Sequence, residues 1–192
     1  MCKQPRITNC LLTVIMALAM TGCTLFGGDS GINYTPLPVS QTRLIFSEPT
    51  LVEATVSFRV ADQTVSGNRI ERGRWDGLFD DRAELMLIES LSAKGINSPE
   101  DPRDLIDDFR GLVRLKAAFG DLYQSDTVMG RAIWRRFVTG DRSCIIFNQR
   151  WDSGPETPVS RTLAGYYCAK PGGTYTIQDA QKTLLTISIK PQ

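Results

Sequence analysis

The side chains of this 192-residue chain that could do chemistry are unevenly supplied. It has 22 Lys and Arg, 21 Asp and Glu, five Cys and no His. Without histidine there is no Ser-His-Asp triad, no Cys-His dyad, no His-ligated zinc and no imidazole proton shuttle. Ser-x-x-Lys, Gly-x-Ser-x-Gly, Walker A and Gly-x-Gly-x-x-Gly are missing too. Carboxylates remain, and a pair of them suffices for glycoside hydrolysis, but the spacing singles out no pair. Asp76, Asp80, Asp81 and Glu84 cluster without the alternating geometry of an EF-type calcium loop, so they read as a solvated acidic turn. No catalytic residue, metal or cofactor is expected. Residues 131–161 hold Arg131, Arg135, Arg136, Arg142, Arg150 and Arg161 against Asp141, Asp152 and Glu156. Arg131, Arg135, Arg136 and Arg150, with Trp151 at a strand end, form the candidate binding patch for lipid phosphates or an acidic polysaccharide. The bland alternative is an ordinary charged outer face. Trp75 and Trp134 read mainly as core. The formal net charge of +1 argues against a nucleic-acid partner.

The elements that must carry these residues are mostly strands. In residues 51–60, Val52, Ala54, Val56, Phe58 and Val60 alternate with polar residues, the period of a half-buried strand. Residues 43–46 and 64–66 read as shorter strands, with Gly67-Asn68 as a turn. Residues 71–81 read as polar connection. Residues 82–92 favour helix by residue type, but the unbroken run Leu85 to Ile88 and the short length suggest a buried strand. A helix is expected over 99–118. Ser98 caps it, Pro99 opens it, acids crowd its first turns and basic residues its last, and Leu105, Ile106, Phe109, Leu112, Val113 and Ala117 make an apolar stripe. Gly120 would stop it. Strands follow at 131–139, 143–151 and 161–169, the first two joined by Gly140-Asp141-Arg142. Thr176-x-x-Asp179 is a capping-box pattern opening a short helix at 177–187.

The N-terminus reads as an address. Lys3 and Arg6 precede a mostly apolar stretch from Ile7 to Met20, short for a membrane span, and small residues follow. This is a signal-peptide layout, with a short membrane anchor as the alternative. The run Leu18-Ala19-Met20-Thr21-Gly22-Cys23 resembles a bacterial lipobox, with Met20 where Leu is usual. The resemblance implies that Cys23 becomes the first mature residue, lipid-modified and held at the membrane. Thr24, rather than Asp, resembles an outer-membrane address facing the periplasm. Removing residues 1–22 deletes two bases and no acid, so 20 basic residues would face 21 acidic ones. Cys2 and Cys10 leave with the signal, and Cys23 is acylated. Cys144 and Cys168 remain, an even pair in an oxidising compartment, and read as a disulfide. If the two Cys are opposed in an antiparallel hairpin, Ile145 faces Tyr167, Ile146 faces Tyr166, Phe147 faces Gly165, Asn148 faces Ala164 and Trp151 faces Arg161. The words WRRF, SCIIFNQ and LAGYYCAKPGG, from Trp134 on, resemble the C-terminal part of uncharacterised proteobacterial envelope lipoproteins, which supports the compartment and adds no mechanism. Glu89-Ser90 resembles the Glu-Ser of lytic transglycosylases, whose remaining motif is missing.

These readings combine into an expected α+β fold. It has a mainly antiparallel sheet of five to seven strands, covered by one long helix, with a short C-terminal helix. Residues 1–22 would be the signal peptide, 23–42 the lipidated Cys and a flexible tether, and 43–192 one periplasmic domain. The expected function is a membrane-anchored, non-enzymatic accessory module that docks an envelope protein or polysaccharide. The alternatives are a small-molecule or lipid-binding module and a carboxylate-based envelope hydrolase.

Overall fold

The hairpin around the cysteines forms in the expected register. Strand β8 (Arg142–Asp152) pairs antiparallel with β9 (Ser160–Cys168), placing Cys144 opposite Cys168, Phe147 opposite Gly165 and Trp151 opposite Arg161. A disulfide joins Cys144 to Cys168, whose Cα atoms are 4.1 Å apart. The Ala169 amide donates to the Ser143 carbonyl, so the cysteines occupy the adjacent non-hydrogen-bonded pair, where opposed side chains lie closest. Strand β7 (Gly130–Thr139) meets β8 through a two-residue turn. Gly140 takes φ 60° at its first central position, which a II′-type hairpin favours.

The structure, a computed structural model, describes residues 32–63, 67–90, 96, 98–152 and 160–191. The expected signal peptide, Cys23 and the short strand at 64–66 lie outside these residues. Six further strands complete the main sheet with β7 to β9 or the ribbon beside it: β1 (Thr35–Pro36), β2 (Leu44–Phe46), β3 (Thr55–Gln63), β4 (Asn68–Asp76), β5 (Arg82–Ser90) and β6 (Ala118–Thr127). Among the described residues the main sheet has eight strands in the order β1-β3-β4-β5-β9-β8-β7-β6, every neighbour antiparallel. A second ribbon pairs β2 with β10 (Ile187–Ile189). The chain leaves β5, crosses one face to the far edge at β6, and returns through β7 and β8 until β9 closes on β5.

Both faces of the sheet's central strands are buried. On the first, Leu85, Leu87, Trp134, Ile145, Phe147 and Leu163 pack under the β2–β10 ribbon and helix α1 (Ile177–Leu185). On the second, Met86, Ile88, Phe137, Ile146 and Tyr166 pack under Leu105, Phe109 and Leu112 of the crossover. This double burial explains why Leu85 to Ile88 is apolar without alternation. Gly165 keeps the centre tight, because a Cβ there would lie 2.6 Å from Leu85 Cδ2 and 2.8 Å from the Glu84 carbonyl.

The expected α+β class is overturned: the protein is mostly β, and among the described residues no long helix covers the sheet. Residues 99–118 instead form a seven-residue 3-10 segment, Pro102–Asp108, followed by turns. The capping logic operates three residues later than expected. Asp101 is the N-cap, accepting from the Arg103 amide at 3.1 Å, and Pro102 opens the segment. The apolar stripe is used, but tertiary packing bends its backbone. Phe109 leaves helical geometry (φ −102°, ψ 114°) to set its ring edge-on to Tyr166, 5.4 Å between centroids. Gly111 sits against the Tyr166 hydroxyl, where a Cβ would be only 2.0 Å away. The C-terminal helix forms with the Thr176–Asp179 capping box, then stops at Leu185 because Ile187 enters β10.

Strands β4 and β6 lie where the sequence reading put a connection and no element. Strand β4 occupies most of the expected polar connection. Strand β6 carries Gly120, expected as a helix stop, at a register shift between Phe119 and Leu122. The described end of the expected tether also joins the fold: β1 pairs with β3, Tyr34 packs against the second core, and Thr42 is buried.

Candidate functional site

Strand β4 reads as polar because it places charge on both faces of the sheet. Glu71 points to the first face and is buried. Its Oε1 accepts from the Arg43 amide at 2.8 Å, the Leu44 amide at 3.2 Å and the Thr42 hydroxyl, which fixes the entry into β2. Arg72 points to the second face and is equally buried. Its Nε donates to the Tyr34 hydroxyl at 2.9 Å, and its Nη1 to Glu84 Oε1 at 3.2 Å and to the Asp108 carbonyl at 2.8 Å. A buried charge is tolerated only when paired and hydrogen-bonded in this way.

Arg72 forms the floor of a cleft. Ser57 and Arg59 on β3, Arg72, Gly73 and Arg74 on β4, and Glu84 on β5 line one side. Ile32 to Tyr34, Pro36 and Arg110 complete it, enclosing about 590 Å³. Register puts Arg59 directly opposite Arg72, and Ser57 opposite Arg74. The Arg59 guanidinium lies 4.5 Å above the Tyr34 ring centroid, and its Nη2 is 3.7 Å from Glu84 Oε1. The Arg72 guanidinium is 5.6 Å from the same ring. Glu84 therefore contacts two arginines, and the Tyr34 ring lies close to both guanidiniums. Arg74 is held by the Asp76 carboxylate at the rim, with contacts of 2.9 Å.

The residues of the sequence-derived patch are divided between the two faces. Arg131, Arg135 and Arg150 share the crossover face, whereas Arg136 and Trp151 belong to the other. Arg135 is committed to the fold. Its Nε and Nη2 donate to the two Asp101 oxygens at 2.8 Å each, and its Nη1 to the Gly120 carbonyl at 2.6 Å. That fork holds the Asp101 carboxyl below its usual range. Arg131 is exposed, 3.6 Å from Asp126, and Arg150 is exposed. Trp151 is half-buried against the first core.

Other chemistry-bearing residues also find partners. Burial favours the neutral Glu89 carboxyl, but hydrogen bonds from Arg43 and Arg161 (2.8 Å) outweigh it and hold the group below its ordinary value. The acids of the expected turn disperse. Asp81 is buried and accepts from Tyr167 at 2.9 Å, Asp80 takes Arg82 and Arg142, and Asp76 takes Arg74. Burial pushes the Tyr166, Tyr167 and Tyr175 hydroxyls well above their usual range, and those of Tyr167 and Tyr175 serve as neutral hydrogen-bonding groups. Trp75 meets Phe46 and Phe58 edge-on, and Trp134 stacks on Tyr123 at 4.6 Å, both inside the first core. Among the described residues no cluster of acidic or sulfur side chains could hold a metal, and no helix is long and apolar enough to cross a membrane.

Sequence reading missed Arg59, Arg72, Arg74 and Arg110 as a group. The expected two-residue turn at Gly67-Asn68 would have put Arg59 opposite Asp76; the observed register pairs Gln63 with Asn68, which brings Arg59 opposite Arg72 and puts Arg74 two residues on, on the same face. Fold and site together define an antiparallel sheet whose central strands are buried on both faces, with an arginine-lined cleft beside its β1 edge. No protein-family model, curated protein or solved structure matches this chain.

Proposed function

We propose that the protein is a lipid-anchored, non-enzymatic accessory module of the bacterial envelope, which docks another envelope component through the β3–β5 cleft face. The support for the address is sequence alone: the signal layout, the lipobox-like run and Cys23. The observation that carries the binding role is the cleft lining. Guanidiniums and a tyrosine grip a ligand, and Glu84 is held between Arg72 and Arg59 as charge balance.

The test is site-specific photocrosslinking of the full chain in intact cells. A probe at exposed Ser57, on the cleft wall, should capture a discrete adduct. A probe at Val128, at the exposed β6–β7 tip on the opposite edge, should not. Fatty-acid labelling should disappear in Cys23→Ser. Repeated absence of a Ser57 adduct would remove the docking role. Glu84-dependent turnover of an envelope polysaccharide would replace it with the hydrolase reading.

A further inference from the structure

Two loops at one end of the sheet carry apolar residues where turns ordinarily carry small or polar ones. Between β4 and β5 the Asp80 amide donates to the Gly77 carbonyl at 3.1 Å, so Leu78 and Phe79 are the central pair of a four-residue turn. Such positions usually hold Gly, Pro, Asn, Asp or Ser. Here both side chains stand outward, 65% and 69% exposed. In the crossover the Leu115 amide donates to the Leu112 carbonyl at 3.0 Å, which makes Val113 and Arg114 the centre of a second turn. Arg114 takes φ 67°, a left-handed value that Gly or Asn usually supplies, and Val113 and Leu115 on either side of it are exposed. The two loops are neighbours. Leu115 lines one hollow with Arg82, Gly140 and Arg142, and both arginines donate to Asp80 beside Phe79. Bases interleave with the apolar residues. Exposed Arg114 and Lys116 flank Leu115, and the Lys170 ammonium lies 5.9 Å from the Phe79 ring centroid. Neither core includes Leu78, Phe79, Val113 or Leu115.

We propose that this end of the sheet dips into a lipid bilayer. Leu78, Phe79, Val113 and Leu115 enter the boundary between headgroups and acyl chains, while Arg114, Lys116 and Lys170 meet the lipid phosphates. Apolar burial and attraction to anionic headgroups add in interfacial binding. Long basic side chains serve both at once, laying their stems along apolar surface and keeping the charge among the headgroups. The chain length allows the contact. Ile32 follows Cys23 by nine residues, a reach of up to about 30 Å. Thr35 pairs with Val60, which is five residues, about 17 Å, from the start of β3 at this same end. The contact goes beyond the docking role: it orients the body on the membrane and leaves the β3–β5 cleft to another component. Crosslinking at Ser57 can fail while the bilayer contact holds, so the two stand or fall separately.

Fluorescence quenching by the bilayer itself tests it. The full chain, with a fluorescent noncanonical residue at position 78, 115 or 128, is reconstituted into vesicles of phosphatidylethanolamine and phosphatidylglycerol brominated on their acyl chains. Acylation at Cys23 and the apolar stretch before it would each hold the N-terminus in the vesicle, so the readout does not depend on the anchor. Quenching relative to unbrominated vesicles should be at least threefold stronger at 78 and 115 than at 128, which lies at the β6–β7 tip at the other end of the sheet. Phe79→Ser with Lys170→Gln should cut the quenching at 78 by at least half. Val128→Ser with Arg131→Gln, the same kind of change at the other end, should leave it unchanged. Equal quenching at 78 and 128, or equal loss in the two double variants, overturns the proposal. So does a probe at 78 whose emission shifts to the blue with rising protein-to-lipid ratio but escapes bromine quenching, because a second copy would then cover the surface. Matching urea midpoints in the double variants keep the comparison free of folding defects.

Discussion

Burial alone would raise the Glu89 carboxyl, but Arg43 and Arg161 reverse the sign by stabilising its ionised form. A carboxyl depressed in the folded state contributes stability above its unfolded value of about 4.5, and loses that contribution as pH falls through the folded value. The urea midpoint should therefore drop between about pH 5 and pH 3 more steeply in the wild type than in Glu89→Gln. At neutral pH the variant should be less stable by about 1–3 kcal/mol, because two part-buried arginines lose an ionised acceptor. Parallel pH profiles would refute this assignment. The same chemistry separates legible from illegible residues. Cys144 and Cys168 could be paired from the sequence because a covalent bond has few partners to choose from. Arg72 could not be read as buried, because what permits its burial is Glu84, Tyr34 and the Asp108 carbonyl, three groups from three other segments.

At the scale of elements, capping chemistry was readable and its consequences were not. Thr176 and Asp179 form their reciprocal cap and α1 follows, because nine residues with one apolar face meet no competing demand. The crossover carries comparable signals but answers to Tyr166. Phe109 must meet that ring edge-on and Gly111 must lie on its hydroxyl, and a straight helix would not satisfy both. Asp101 anchors the crossover twice, as cap to Arg103 and as acceptor of the Arg135 fork. Asp101→Ala should therefore cost more than an ordinary cap loss of about 1 kcal/mol, near 2 kcal/mol. Hydrogen exchange should accelerate across residues 101–112 while the β8–β9 amides stay protected. Uniform acceleration would mean that the crossover and sheet open together.

For the whole molecule, the disulfide closes the β8–β9 hairpin next to the junction with β5. A loop with sequence separation 24 corresponds to about 3.5 kcal/mol of chain-entropy stabilisation. Reduction should lower the unfolding free energy by about 2–4 kcal/mol while leaving the far-ultraviolet spectrum native at low denaturant. Both cores persist without the bridge because each rests on packing from several strands. Two titratable thiols from Cys144 and Cys168 in the oxidised protein would contradict the bridge itself. By itself the sequence determined the hairpin and its register, the cysteine pair and the terminal helix. Each is set by neighbours within about 25 residues, by a period-2 pattern or by a cap. Only the tertiary structure decided the rest. It joined β5 to β9 across sequence separations of 70 to 86, turned a charged segment into β4, and bent an apolar stripe into a crossover. The physical reason is common to all three. Local pattern reports which residues prefer burial, but a charge can be buried, or a helix declined, only when distant groups supply the ion pair, the hydrogen bond or the packing that offsets the cost.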